Sequence, residues 1–199
     1  MHLAVQEGLE EQVPKDLRDY SGPFDPNRRY PDFSKDTLVM LLEEYSRSYR
    51  LLERQWHAVL RERHSDREAV ECAIGQWMST RPMVSHWLSK ALNIEGDNVE
   101  TFFKRLQMDP RFTPAEFDVC WELRRPDSGV FTVKKCGTLV SLEEEGKGYE
   151  LTLCNEQELP ALTRVAQYTN PHMKMVPLRL PPRRSETDIA CQWEVKLES

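Results

Sequence analysis

Near Thr113 the spacing of apolar residues changes from three-and-four to two, and that change bounds what this chain can fold into. Before it, Leu38, Leu41, Leu42, Tyr45, Tyr49, Leu52, Trp56 and Val59 recur at helical spacing, which predicts a long amphipathic helix ending near Arg63. Ser34 is placed to cap it, because a serine oxygen can accept a free amide of the first turn. A second helix begins at "SDRE", where Ser65 and Glu68 have capping-box spacing, and runs through Ile74, Trp77 and Met78 toward Pro82. Then follow "MVSHWLSKALNI", a turn at "EGD", and a further helix over "NVETFFKRLQM".

After Thr113 the pattern alternates. Phe117, Val119, Trp121 and Leu123 interleave with Glu116, Asp118, Cys120 and Glu122, "RPDSG" turns the chain, and "VFTVKKC" returns it. This predicts a β-hairpin with a five-residue connection ending in Gly129. "TLVSLEEEG" reads as a short helix closed by Gly146, "YELTLC" as a strand, and "EQELPALTRVAQYTN" as a helix. "HMKMVPLRL" and "IACQWEVKLE" supply two more strands, the latter with Cys191, Trp193, Val195 and Leu197 on one face. The expectation is an α+β fold: an N-terminal helical segment packed on a mostly antiparallel five-stranded sheet with two helices. Three segments follow: an extended aromatic arm at 1–34, a helical subdomain at 35–112 and an α+β subdomain at 113–199. In the arm, Tyr20, Phe24, Tyr30 and Phe33 are suited to anchoring it against a core or a second subunit, so a homodimer is one expected partner arrangement.

A formal charge of −6 with a pI near 5.5 argues against a general nucleic-acid or anionic-membrane binder. No stretch approaches the roughly 20 apolar residues that cross a bilayer. "MHLAVQEGLEEQV" carries acids where a signal peptide has its apolar core, so the expected compartment is the cytoplasm. The five cysteines are an odd number with no CxxC spacing, which favours free thiols in a reducing compartment.

Several features resolve into ordinary structure. "LSKALNIEGDNVETFFKRL" has helix-turn-helix spacing, but Asp97, Asn98 and Glu100 would bring acids toward phosphate, so a plain turn between packed helices fits better. His57 and His64 match no metal-binding spacing and read as surface or boundary residues, and the acids of "SLEEEGKG" as a solvated face. The cysteines of the second half carry more. Cys136 ends one expected strand, Cys154 ends the next, and Cys191 begins the last, and strand ends are where distant side chains meet. Converging thiols would allow a soft-metal site for zinc or iron, or a nucleophilic thiolate. Cys154 is the candidate nucleophile, since the helix after it could place amide donors beside the sulfur, although Glu156 and Glu158 oppose this. His172 is the one histidine of this half and hence the candidate base. Against both stands the burial of cysteine as a small hydrophobe.

"DYSGPFDPN", "ALNIEGDNVE", "VFTVKKCGTL", "LTLCNEQELP", "NPHMKMVPLRLPPR" and "IACQWEVKLE" together resemble a group of bacterial and archaeal cytosolic proteins with no settled activity. More distantly, the second half resembles the L-2-amino-thiazoline-4-carboxylic acid hydrolase-like proteins and the vinyl-reductase-type small-ligand-binding domain. The resemblance implies a thiol-dependent hydrolase acting on a small nitrogen- and sulfur-containing acid, or a non-catalytic carrier or sensor holding a metal or small ligand. Cys136, Cys154 and Cys191 match its cysteine pattern. Gly137 departs from it, standing where similar chains tend to have proline.

Overall fold

The computed structural model describes residues 16–198. The stretch "MHLAVQEGLEEQV", with its expected lack of a signal peptide, lies outside the described residues. The chain divides into two compact units at Tyr45 and Ser46. That boundary falls inside helix α1 (Lys35–Arg63).

In the first unit the arm folds back along the start of α1. The Leu17 and Ser34 amides donate to the carbonyls of Asp32 and Leu17, and the Thr37 hydroxyl reaches the carbonyls of Leu17 and Arg18. Ser34 Oγ accepts the Thr37 amide at 3.2 Å, as expected of a cap. Tyr20 meets Phe33 edge-on at 6.0 Å, and the Tyr30 and Tyr45 hydroxyls share a hydrogen bond of 2.9 Å. Three of the arm's aromatics therefore make contacts inside this unit, whereas Phe24 stays exposed.

The second unit contains the rest. Helix α2 (Asp66–Leu92) opens on the predicted Ser65/Glu68 capping box and closes on Asn93 in the left-handed region. It runs straight through Pro82, where the sequence suggested a break. An interior proline removes one hydrogen bond and costs about 3 kcal/mol. Tertiary packing offsets that: Ala69, Ala73, Trp77, Arg81 and Ser85 form a buried row at four-residue spacing. Helix α2 packs against the helix at Glu158–Thr169. Helix α3 (Val99–Gln107) is capped by Asn98, whose side chain accepts the Thr101 amide. It buries Val99, Phe102, Phe103 and Leu106.

Strands β1 (Phe117–Arg125) and β2 (Ser128–Cys136) form the expected hairpin, but the connection is only Pro126 and Asp127, because Arg125 already pairs with Ser128. Gly129 is thus a strand residue. A Cβ there would sit 2.7 Å from the Phe103 ring, so its bare backbone is what lets α3 lie against β2. After β2 come α4 (Gly137–Glu145), closed by Gly146 at φ 65°, and α5 (Tyr149–Thr152). A π-helical turn at Leu153–Gln157 leads into α6 (Glu158–Thr169), followed by β3 (Met173–Arg179) and β4 (Cys191–Leu197).

The sheet is antiparallel with order β1-β2-β4-β3. It has four strands, not five, because "YELTLC" is helical. Tyr149, Leu151 and Leu153 imitate strand alternation, yet Leu153 is buried and Leu151 is 40% exposed. The pair that matters is Tyr149 and Leu153, four apart on one helical face. One face of the sheet carries Phe131, Val133, Trp193, Val195, Met173 and Met175 into a core shared with α3 and α6. Each such buried side chain contributes about 1.5–3 kcal/mol by leaving water.

The second half of α1 is turned unlike the usual amphipathic helix. Leu51, Leu52, Trp56 and Val59 are exposed. The side chains of Arg50 and Glu53 are instead 11% and 13% exposed.

Candidate functional site

The charged side of α1 faces a cavity of about 410 Å³ in the second unit. Its floor is the apolar sheet face: Phe117, Phe131, Val133, Cys191 and Trp193, extended by Leu139, Leu162 and Leu180. Arg50, Glu53, His57 and Arg61 of α1 line one side, with Trp77 and Arg81 of α2. Tyr149, Leu153 and Cys154 line another. The exposed members Arg54, Glu62, Glu145 and Lys147 mark the mouth between α1 and the α4–α5 connection.

The charges on this wall are largely held. Asp109 grips Arg111 through two side-chain hydrogen bonds, one of them 2.7 Å from Nε, and both residues are buried. Burial alone would raise the Asp109 pKa, but the Arg111 guanidinium overcomes it and holds the carboxyl below the usual range. Arg50 bridges Glu116 at 3.4 Å and Glu53 at 3.7 Å. Arg81 bridges Glu158 at 3.3 Å and lies over the Trp77 ring at 4.6 Å. Arg61 lies 3.9 Å over the Tyr149 ring, a cation–π contact that ties α1 to α5 across the mouth. Burial pushes the Glu53 carboxyl up. Burial, then Arg61 and Arg50, bring the His57 imidazole down from 6.5 to about 4, so it is neutral at pH 7. His57 is half-buried and lines the cavity, the boundary position among those expected of it.

The three cysteines singled out from the sequence all line this cavity, as does none of the other two. Cys72 and Cys120 are exposed, and all five are free. Cys136 ends β2 and Cys191 begins β4, as expected, whereas the expected strand ending in Cys154 is helical. Cys136 caps α4, its Sγ accepting the Leu139 amide at 3.4 Å. Cys154 sits in the π-helical turn. Cys191 opens β4 and its Sγ accepts Trp193 Nε1 at 3.2 Å.

Burial pushes the Cys154 thiol far up, and Glu158, Cys136 and Cys191 push it further. Burial likewise raises Cys136, against the helping amide of Leu139, and takes Cys191 to about 12. At neutral pH all three are thiols. Cys154 lies inside a helical run rather than before a helix N-terminus, and desolvation is the largest effect on its thiol, which weighs against the expected activated nucleophile.

His172 does not join them. It lies in the exposed turn before β3, and the adjacent Met173 pairs with Leu197, at the other end of β4 from Cys191. Those ends are six steps apart along β4, roughly 20 Å. A Cys154/His172 pair is not assembled. Among the described residues no group of three His, Cys, Asp or Glu side chains is disposed to hold a metal ion, so Cys136, Cys154 and Cys191 share a cavity without forming a ligand set for zinc or iron. Also among the described residues, no helix is long and apolar enough to cross a membrane. No protein-family profile, curated protein or solved structure matches this chain.

Sequence reasoning passed over Arg81 and Arg111, and read Trp77 and His57 only as helix residues. A signal existed for two of them, since Trp77 and Arg81 stand four apart on one helix beside small residues.

Proposed function

We propose that this protein binds a small, mostly apolar molecule in the cavity without transforming it, as a carrier or sensor. The carrying observation is the cavity itself, about 410 Å³ over a floor of Phe131, Val133, Leu162 and Trp193. Small-molecule sites occupy roughly 300–1,000 Å³ and are mainly apolar with a few fixed polar groups. Here those groups are the held charges of α1 and α2. The thiol-hydrolase alternative needs a thiolate and a base within hydrogen-bond reach. Protonated thiols and the distance to His172 weigh against it.

The test is saturable binding of N-phenyl-1-naphthylamine, an uncharged dye that fluoresces in apolar surroundings. Trp77 and Trp193 line the cavity and serve as energy donors. One dye per chain is expected, with binding abolished in Cys154→Phe, which places a ring in the cavity from its helical wall. Absence of saturable binding to the folded protein, or equal binding by the filled variant, would sink the proposal.

A further inference from the structure

Three buried nitrogens on the α1–α2 side of the cavity have no partner: Arg81 Nε, Trp77 Nε1 and His57 Nε2. They belong to one stack. The Arg81 guanidinium lies over Trp77, and the His57 ring centroid is 5.8 Å from that of Trp77. Arg81 and Trp77 are 3% and 4% exposed. The Glu158 carboxylate takes only Nη2 of Arg81 and leaves Nε unused.

Arginine and tryptophan nitrogens donate only; neither can turn round and accept. A buried donor without an acceptor costs about 1–3 kcal/mol. Two such donors stand on residues one helical turn apart, both lining a cavity, where a hydrogen-bond acceptor would satisfy them. On α1, Glu53 Oε1 is an acceptor likewise left without a partner, one turn from His57.

We propose that the ligand carries a hydrogen-bond-accepting oxygen at one end, seated against Trp77 and Arg81, with its apolar body over Phe131, Val133 and Trp193. This rests on the ligand-binding reading above and gives that ligand a polarity. A carboxylate or an amide carbonyl supplies the oxygen. An amide also offers a donor to Glu53.

Three probes with one ring system test it on the full chain: 1-ethylnaphthalene, 1-naphthaleneacetamide and 1-naphthaleneacetate, each competed against N-phenyl-1-naphthylamine. At least one oxygen-bearing probe should bind about ten-fold more tightly than 1-ethylnaphthalene, the worth of one or two hydrogen bonds. Trp77→Phe keeps the ring and removes the N–H. It should shrink that advantage, the ratio of the two affinities, by roughly three- to ten-fold. Arg81→Met combined with Glu158→Gln, which removes both halves of the ion pair, should do the same. Equal affinity for all three probes overturns the proposal, as does an advantage that survives both variants. If the dye and every probe fail to bind, the ligand-binding reading falls first and takes this one with it.

Discussion

Replacing His57 with glutamine should change how stability depends on pH, because the folded chain refuses a proton that the unfolded chain accepts. The ring's pKa is about 4 in the fold, against 6.5 in the absence of burial and of Arg61 and Arg50. Above pH 6.5 the imidazole is neutral in both states and adds no pH dependence. Between 6.5 and 4 only the unfolded chain takes up the proton, so stability falls with pH by up to about 1.4 kcal/mol per unit. Below 4 both states are protonated and the loss stops. The full window would cost about 3 kcal/mol, less the share that water screens around a half-buried ring. Other groups titrate nearby with different signs. Asp109, held low by Arg111, loses its contribution only below the ordinary carboxylate range, outside this window. Glu53, raised by burial, gains stability as pH drops through its elevated value, opposing His57. Both cancel when wild type and His57→Gln are compared at each pH. Urea unfolding at intervals from pH 7.5 to 4.5 should show the variant's curve flatter by about 1 kcal/mol per unit below pH 6.5. Parallel curves would refute the claim that α1 holds this ring neutral over a desolvated cavity.

Three further outcomes follow from the same structure. Asp109→Asn leaves the buried Arg111 charge uncompensated and should cost about 3–5 kcal/mol in denaturant unfolding; a loss below about 1 kcal/mol would mean that water reaches the pair. Gly129→Ala drives a methyl group into the Phe103 ring and should destabilise by about 1–3 kcal/mol, whereas wild-type stability would show that α3 yields there. With a chromogenic disulfide reagent at pH 7.5, Cys72 and Cys120 should react promptly in the native protein, and Cys136, Cys154 and Cys191 only at a rate set by opening or unfolding. A native Cys154 reacting faster than Cys72 would restore the thiolate reading.

The elements whose identity was legible are those fixed by local chemistry. The Ser65/Glu68 box, the Ser34 cap and the alternation of Cys191, Trp193 and Val195 depend on neighbours within one or two turns, and each is as the residues indicate. The convergence of Cys136, Cys154 and Cys191 was also legible, with Cys136 and Cys191 at the expected strand ends and only Cys154 on a helical turn in place of a strand. What periodicity could not carry was orientation and context. "YELTLC" satisfies both a period of two and a spacing of four. The choice fell to the helix because Tyr149 and Leu153 both line the cavity, a fact absent from any six-residue window. The same limit explains α1. A helical period establishes that Leu52, Trp56 and Val59 lie together and that Arg50, Glu53, His57 and Arg61 lie elsewhere. It does not say which side faces inward. The ordinary rule turns the apolar side to the core, but here the inward side meets a cavity whose floor already supplies apolar surface. Its polar groups must then come from the facing helices, so α1 and α2 turn Arg50, His57 and Arg81 toward it. The reversed helix and the unpartnered nitrogens lie on the same wall of the cavity, opposite the apolar sheet face.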